Sequence, residues 1–407
     1  MRENKESKIT SFRSRGFLKS GTTPRQNAVR IVFSAVMAIA FFVALLYNNG
    51  IAKAAVIEPS VQAQAAVMME ASSRRVLYQK NSHQRMPMAS TTKIMTAIVA
   101  IENGNLQDTI TVSENASGIE GSSIWLEVGE RMTLSDMLYG LMLSSGNDAA
   151  VAIAEHIGGS VDGFIDMMNS KAIDIGAEDT VFMNPNGLHD DNHFTTAYDL
   201  ALISCYAMEN NVFAEIVSSQ YKNISWEGHQ WERSLRNKNK ILWQYEGGNG
   251  VKTGYTKAAG RCLVSAALRD EMQIVTVALN CPDMFIQSMN LLDYGFDAYE
   301  MRTVFSRGQK LGRIDVEQGT GVSIEAVCED DMKLPVKKEG EELDAIIELP
   351  DIIEAPVKKG DVIGSASVYI NGGLLAQSRL YASEDIARLN WRYGFDMILN
   401  NWLRKAG

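Results

Sequence analysis

Residues 88–103 read MASTTKIMTAIVAIEN, and this stretch decides the fold of the domain around it. The apolar residues that recur at the spacing of one helical face are Ile94, Met95, Ile98 and Ile101. Because Gly104 then stops the pattern, the sequence predicts a helix over 91–103 that packs into a core. Ser90 directly precedes this helix, and Lys93 follows three residues later, so both side chains leave the same face.

Strand-like segments lie on both sides of this helix. Residues 66–69 and 75–79 predict two short strands around a turn. Much later in the chain, residues 261–268 and 272–279 alternate in polarity, are rich in β-branched residues and are joined by a short polar turn. This pattern predicts a hairpin near the end of the domain.

Helices dominate the middle of this region. A helix is predicted from Thr133, because Thr133 and Asp136 resemble a capping box. The helical pattern is interrupted at 144–147 and resumes over 148–157, and another cap-like start opens a helix over 196–208. Together with the strands, these helices predict an α+β domain over residues 66–302.

The character of the sequence changes after this domain. Residues 303–383 contain short strand-like runs separated by Gly, Lys and Asp clusters, and they predict a small all-β domain. The strand-like runs are 324–328, 344–349, 365–370 and 374–380. Residues 384–407 predict an amphipathic helix with arginines around an apolar face. The face consists of Trp391, Phe395, Ile398, Leu399 and Trp402.

The distribution of charge argues against one class of partner. The net charge is −10, and residues 1–30 contribute eight basic against two acidic side chains, so the remainder carries −10 − 6 = −16. An acidic body with no basic groove is atypical of a nucleic-acid-binding protein. We therefore expect no nucleic-acid partner.

The N-terminal 65 residues have the pattern of an export segment. The basic start leads into the uncharged apolar run 31–47, which is followed by small-x-small sequences at 52–54 and 63–65 where cleavage could occur. Seventeen residues are also the lower limit for a retained membrane anchor. In either case the positive-inside bias predicts that the rest of the chain lies outside the cytoplasm.

The cysteines and histidines predict no metal site. The four cysteines are widely spaced, without a CxxC pair, and are interpreted as small buried apolar residues. They are Cys205, Cys262, Cys281 and Cys328. The five histidines show no HExxH spacing, and we interpret His193, like the nearby Asp199, as structural.

Three short motifs occur in order and carry the predicted chemistry. They are Ser90-Thr91-Thr92-Lys93, Ser145-Gly146-Asn147 and Lys252-Thr253-Gly254, and the last lies just before the predicted hairpin. A serine hydroxyl is a weak nucleophile until a base takes its proton. Lys93 could be that base if burial and a second cation, such as Lys252, lowered its pKa from about 10.4.

This ordered set of motifs resembles the penicillin-recognising serine hydrolases, the group of penicillin-binding proteins and serine β-lactamases. The resemblance implies that residues 66–302 adopt the α+β transpeptidase fold of this group. It also implies a catalytic role for Ser90, Lys93 and Ser145, without a metal or other cofactor. Ser145 would relay the proton to the leaving amine. Asn147 would hold the substrate amide and orient the lysine.

The same resemblance implies a substrate-binding strand and an oxyanion hole. Lys252 and Thr253 would bind the substrate carboxylate, and Gly254 would let the strand backbone approach the ligand. The oxyanion would lie between the backbone N–H groups of Ser90 and Tyr255.

Within this group the sequence is most similar to D-alanyl-D-alanine carboxypeptidases of peptidase family S11. The similar segments are MEASSRRVLYQKN, MASTTKIMTA, GLMLSSGNDAA, the Lys252 motif and LLDYGFDAYE. Class A β-lactamases use a glutamate after the second motif to activate the deacylating water, and residues 182–193 contain none. The implied partners are therefore the peptidoglycan stem peptide as substrate and β-lactams as acylating inhibitors.

One residue departs from the pattern of this family. An arginine that helps to bind the terminal carboxylate usually precedes the Tyr-Gly-Phe segment by about a dozen residues, and Met284 stands there. Either Lys252 and Thr253 bind the carboxylate alone, or another arginine such as Arg261 substitutes.

Two alternative functions stay open at this point. Met284 would suit a catalytically weak wall- or membrane-binding protein on the same scaffold, and a serine β-lactamase is a further alternative.

The C-terminal helix resembles the membrane-attachment helix of the family, and its aromatic face with flanking arginines fits a bilayer interface. We therefore expect an exported protein on the outer face of the bacterial membrane.

Overall fold

A computed structural model describes residues 56–390, together with residues 36, 37 and 395. The strands of the first domain are β1 (Ala65–Glu70), β2 (Val76–Lys80), β3 (Thr109–Thr111), β4 (Arg131–Thr133), β5 (Tyr221–Ile224), β6 (Arg233–Arg236), β7 (Gly248–Thr256), β8 (Gly260–Arg269) and β9 (Met272–Leu279). Its helices are α1 (Lys93–Asn103), α2 (Leu134–Leu143), α3 (Asn147–Gly158), α4 (Val161–Ile175), α5 (Ala197–Met208), α6 (Asn211–Ser218), α7 (Ile241–Gln244) and α8 (Met284–Ala298).

The first domain is built on an antiparallel sheet with the strand order β2-β1-β9-β8-β7. The predicted hairpin is therefore strands β8 and β9, and the two N-terminal strands pair beside it as β1 and β2. Helices cover the sheet, and the largest cluster of buried apolar side chains lies between them. The α+β architecture predicted from the sequence is confirmed.

The structure adds a strand that the sequence pattern did not reveal. Lys252 lies within β7, which pairs along its whole length with β8, rather than ahead of the hairpin. Glycines at 248, 250 and 254 interrupt the alternation of side chains, and glycine weakens a strand signal. The lysine motif is consequently held on an edge strand of the sheet.

The predicted helix starts are confirmed by their hydrogen bonds. The backbone N–H of Asp136 donates to Thr133 Oγ1 at 3.1 Å, and the N–H of Asp199 donates to Thr196 Oγ1 at 3.0 Å. Helix α1 begins two residues later than predicted, because a single 3₁₀ turn, Ala89–Thr92, precedes it. Residues 93–100 of α1 are buried on every side, so this helix runs through the core.

The second domain is all β, as the sequence predicted. Its strands are β10 (Tyr299–Phe305), β11 (Lys310–Glu317), β12 (Ser323–Cys328), β13 (Met332–Lys337), β14 (Leu343–Glu348), β15 (Ile352–Glu354), β16 (Val362–Ile370) and β17 (Gly373–Ala382). Six of them form one sheet in the order β14-β16-β17-β12-β11-β15, and β10 pairs with β13. The four strand-like runs predicted from the sequence correspond to β12, β14, β16 and β17.

The predicted start of the C-terminal helix at residue 384 is wrong. Residues 384–390 are extended, with Ile386 bridged to Val357 and Arg388 bridged to Gly319. Ile386 is buried because its side chain packs over Gly319, where an added Cβ would lie 2.8 Å from it. These residues thus continue the β domain beyond the predicted boundary at 383.

Two other predictions fall largely outside the described residues. The apolar run at 31–47 is described only at residues 36 and 37, and of the aromatic face at 391–402 only Phe395 is described. Within the part of the chain that the structure describes, no helix combines the length and apolar character needed to cross a bilayer.

Candidate active site

Ser90 and Lys93 meet at the start of helix α1. The side-chain nitrogen Nζ of Lys93 lies 3.1 Å from Ser90 Oγ, 2.7 Å from Asn147 Oδ1 and 2.5 Å from the backbone oxygen of Asn186. Lys93 is fully buried, so its side chain reaches the serine through the protein interior rather than through water. A nucleophile within hydrogen-bond distance of an oriented base is the arrangement that nucleophilic catalysis requires.

The turn that carries Ser90 is fixed by close backbone packing. Ala89 adopts a left-handed conformation with φ +49°, which turns the chain into α1. Strand β7 lies directly against this turn, since a Cβ added at Gly254 would be 3.1 Å from the backbone nitrogen of Ser90. On the other side, a Cβ at Gly187 would lie 2.0 Å from the oxygen of Ala89. Both glycines therefore have a steric reason to lack a side chain.

The electrostatic environment of Lys93 favours its neutral form. Burial lowers the pKa of Lys93 well below its ordinary value, and the positive charges of Lys252 and Lys238 lower it further. A neutral amine at this site has a lone pair that could accept the Ser90 proton.

Lys252 is the second buried lysine of the site. Its side chain is 2% exposed, and its Nζ donates a hydrogen bond to the backbone oxygen of Thr253 at 3.0 Å. Burial and the charge of Lys238 lower the pKa of Lys252 to about 7. Near neutral pH, Lys252 therefore retains a substantial fraction of its positive charge.

The second motif lies between helices α2 and α3. Ser145 is buried and adopts the left-handed region with φ +63°, which is uncommon outside glycine. Asn147 begins α3, and besides accepting from Lys93 it donates from Nδ2 to the backbone oxygen of Glu120 at 2.5 Å. Its own N–H donates to the oxygen of Ser122 at 2.7 Å. Asn147 thus fixes Lys93 and the loop over 117–128 at the same time.

An open cavity of about 510 Å³ lies against these residues. Its lining consists of Ser90, Ser122, Ser145, Lys238, Thr253, Gly254, Tyr255, Arg261, Met284 and Phe285. All predicted site residues are therefore at the cavity or directly behind it, where Lys93 and Asn147 are buried and hydrogen-bonded. The sequence did not single out Ser122, Lys238 or Phe285, because no motif contains them.

Two cations lie near the position where the family arginine is replaced. Met284 lines the cavity together with Arg261 and Lys238. Lys238 is held by a hydrogen bond from its Nζ to Ser122 Oγ at 3.1 Å, and burial lowers its pKa. Arg261 donates from Nη1 to the backbone oxygen of Pro282 at 2.9 Å. Lys238 and Arg261 therefore supply positive charge to a cavity in which Met284 replaces the charged arginine of the family.

The loop behind Lys93 is closed by structural hydrogen bonds. His193 is buried, its Nε2 lies 2.7 Å from Thr92 Oγ1, and its Nδ1 accepts from the backbone N–H of Met183 at 2.9 Å. Burial lowers the pKa of His193 to about 4, so it is neutral at ordinary pH. Asp199 accepts from Thr180 and from the N–H of Asp179. These contacts agree with the structural roles predicted for both residues.

The cysteines agree with their predicted role as buried apolar residues. All four are buried and free, and burial raises the pKa of the Cys262 and Cys281 thiols to about 11. Within the described residues, no group of three or more His, Cys, Asp or Glu side chains is arranged to hold a metal ion.

The fold defines the class of the protein. It is the transpeptidase fold of penicillin-binding proteins and β-lactamases, followed by an all-β C-terminal domain. Residues 52–283 match the family described as D-alanyl-D-alanine carboxypeptidase, peptidase S11, and residues 299–388 match the C-terminal domain of penicillin-binding protein 5. The chain belongs to peptidase family S11 and is a serine peptidase.

Individual relatives cover most of the chain. The D-alanyl-D-alanine carboxypeptidase DacF of Bacillus subtilis is 33% identical over 84% of this chain and 90% of its own length. DacA of Haemophilus influenzae is 31% identical over 81% of this chain and 86% of its own. The crystal structure of penicillin-binding protein 5 from H. influenzae is 28% identical, with a TM-score of 0.71 over 82% of this chain and 99% of that one.

Proposed function

We propose that this protein removes the terminal D-Ala from peptidoglycan stem pentapeptides through an acyl-enzyme on Ser90. The observation that carries the proposal is the 3.1 Å contact between Ser90 Oγ and the buried amine of Lys93. Ser90 Oγ attacks the carbonyl carbon of the penultimate D-Ala while Lys93 takes its proton. The amide C–N bond then breaks, and Ser145 passes a proton to the departing amine. Water finally hydrolyses the ester and frees Ser90.

The remaining site residues hold the substrate during these steps. Asn147 orients the substrate amide and Lys93. The backbone N–H groups of Ser90 and Tyr255 stabilise the oxyanion, a contribution of about 10²–10³ in rate for one such donor. Lys252, Thr253 and Gly254 form the strand along which the substrate lies. The close approach of Gly254 to Ser90 supports this arrangement.

The same serine is expected to react with penicillins and to retain them. The ester formed on Ser90 needs a base to activate a water molecule before it can be hydrolysed. The loop over 182–193 packs behind Lys93 and contains no glutamate that could take the role it has in class A β-lactamases. We therefore propose that penicillins inhibit this enzyme rather than serve as substrates.

Release of D-Ala from a synthetic stem pentapeptide tests the proposed function. The purified protein should release one D-Ala per peptide, and Ser90→Ala should abolish the release. A protein that is labelled by penicillin but frees no D-Ala would instead be the weak binding protein on the same scaffold. Rapid turnover of penicillin would identify a β-lactamase.

We infer that Lys238 and Arg261 bind the substrate carboxylate in place of the missing arginine. Both line the cavity together with Met284 and Thr253. Lys238→Gln should raise KM for the pentapeptide about tenfold with a smaller change in kcat, since one charge-assisted hydrogen bond contributes about 1.5–3 kcal/mol. Met284→Arg should lower KM.

A peptide whose terminal carboxylate is amidated provides the control for this inference. Loss of the carboxylate should make the substrate insensitive to Lys238→Gln, whereas a purely structural effect would weaken both peptides equally. Lys240→Gln is the matched control for Lys238→Gln, because Lys240 is an exposed lysine two residues further along the chain. It should leave KM unchanged for both the free and the amidated peptide.

We also propose that the protein acts at the outer face of the cytoplasmic membrane. Members of the family are cell-wall enzymes that act outside the cytoplasm. The basic start and the apolar run at 31–47 support export, and the aromatic pattern at 391–402 supports attachment to the membrane surface. If the N-terminal segment is cleaved, deletion of residues 391–407 should move the protein from the membrane fraction to the soluble fraction.

A further inference from the structure

Two exposed tryptophans lie on segments that are hydrogen-bonded to each other, and the segment of Trp125 borders the active-site cavity. Trp125 is 75% exposed and Trp231 is 63% exposed, which is unusual for side chains of this size. Trp125 belongs to the same loop as Ser122, which lines the cavity and accepts a backbone hydrogen bond from Asn147. The exposed ring is therefore three residues away from the wall of the substrate site.

Hydrogen bonds to a buried carboxylate fix the backbone of this loop on both sides of Trp125. The buried carboxylate of Asp148 accepts hydrogen bonds from Ser123 Oγ at 2.5 Å and from the N–H groups of Ile124 and Leu126 at 3.1 Å. Trp125, between these anchored residues, adopts φ +61°. A bulky residue in the left-handed region is strained, and such strain is concentrated at functional sites.

Trp231 is tied to the same structure through a stack of rings and one buried ion pair. The ring of Trp231 lies 5.4 Å from His229, whose ring lies 4.3 Å from Trp226. The guanidinium of Arg233 lies 4.3 Å from the centroid of the Trp226 ring. It also donates to Glu130 at 2.9 and 3.1 Å and to the backbone oxygen of Trp125 at 3.2 Å. The segments that carry the two exposed tryptophans are thus held to each other by Arg233, which bonds Glu130 and the backbone of Trp125.

We propose that Trp125 and Trp231 form a binding site for sugar rings of the glycan strand to which the stem peptide is attached. The C–H face of a pyranose ring packs on the flat face of an indole, which supplies contact area at little conformational cost. Sugar hydroxyls also need hydrogen-bonding partners. Glu127 and His229 can supply them, since they lie on the same segments as the tryptophans, with His229 Nε2 3.4 Å from Glu127 Oε1. The identification of this glycan as the strand that carries the stem peptide rests on the proposed function.

The charges around the two tryptophans favour a sugar over an anionic membrane surface. Glu127, Glu227 and Glu232 are exposed on these segments and outnumber the exposed Arg131, while Arg233 is buried in its ion pair. Carboxylates accept hydrogen bonds from sugar hydroxyls, but they repel anionic phospholipid headgroups. A membrane-facing aromatic surface would be expected to have lysines and arginines at its rim.

Binding to glycan strands freed of their stem peptides tests this site without any catalysis. The full-length protein should be retained by the strands, and the double variant Trp125→Ala/Trp231→Ala should bind about tenfold more weakly. Trp125→Tyr should keep most of the affinity, and Val128→Ala, at a 59% exposed residue of the same loop, should keep all of it. Equal retention of the wild type and the double variant would overturn the proposal, as would preferential retention on vesicles of anionic phospholipid.

The catalytic counterpart compares two substrates with the same pentapeptide, one attached to a disaccharide and one free. The double variant should lose about tenfold in kcat/KM on the disaccharide-linked substrate and nothing on the free peptide. An equal loss on both would indicate a structural effect and overturn the proposal, and unchanged acylation by penicillin verifies that the variant is folded. If neither substrate releases D-Ala while glycan retention still depends on the tryptophans, the proposed function fails and the sugar site stands.

Discussion

Lys93→Met is expected to lower the rate of Ser90 acylation by about 10²–10⁴, the usual contribution of a positioned general base. The reason is that Lys93 Nζ, the proposed base, lies 3.1 Å from the serine oxygen and is buried beside it. Methionine has a similar length and is apolar, so it fills the buried volume without introducing a charge. The rate is measured as the second-order appearance of a covalent adduct with a labelled penicillin.

Lys240→Met serves as the matched control for this prediction. Lys240 is exposed and lies near the cavity, so the same chemical change there removes a surface charge without removing a base. Acylation should be unchanged in that variant. If Lys93→Met retained the wild-type rate while its melting temperature was also unchanged, another group would have to deprotonate Ser90, and the account of the site would be wrong.

The acylation rate should depend on pH in opposite directions through the two buried lysines. Lys93 acts as a base only when neutral, so the rate should fall as the pH drops through its lowered pKa. The proposed role of Lys252 in carboxylate binding requires its protonated form, so binding should weaken as the pH rises through its pKa of about 7. The expected profile of the second-order rate constant is therefore bell-shaped.

Lys252→Met should change this profile in a way that separates the two lysines. Removing the charge of Lys252 removes one of the causes that lower the pKa of Lys93, so the acidic limb should move to higher pH. The alkaline limb should disappear, and the rate should fall about 10²-fold at neutral pH if a charge-assisted contact of about 3 kcal/mol is lost. An acidic limb at the same pH, with the alkaline limb retained, would contradict the assigned roles.

The parts of the fold that have a local cause were predictable from the sequence. Helix α1 follows from the periodic apolar residues after Ser90, and the start of α2 follows from the hydroxyl of Thr133. The motifs of the site were also predictable, because their order along the chain resembles that of the penicillin-recognising serine hydrolases. The distances between the motifs were not predictable, since Ser90 and Lys252 come together only when strand β7 packs against the turn before α1.

The missed features depend on contacts between segments that are distant in sequence. Lys238 resembles any solvated lysine until the fold places it in the cavity beside Met284. Strand β13 contains Pro335, which weakens the strand signal, and the two-stranded pairing with β10 tolerates it. The extended segment at 384–390 was included in the predicted helix because it directly precedes the apolar face at 391–402, whereas the burial of Ile386 over Gly319 fixes the segment as part of the β domain.

The central claim is that Ser90 forms the acyl-enzyme, and one measurement tests it most directly. The protein is reacted with a labelled penicillin, digested with trypsin and analysed by mass spectrometry. The account predicts the adduct on the peptide over residues 86–93, which contains Ser90, and none in Ser90→Ala. An adduct on the peptide over 132–171, which contains Ser145, or an adduct that persists in Ser90→Ala, would contradict it.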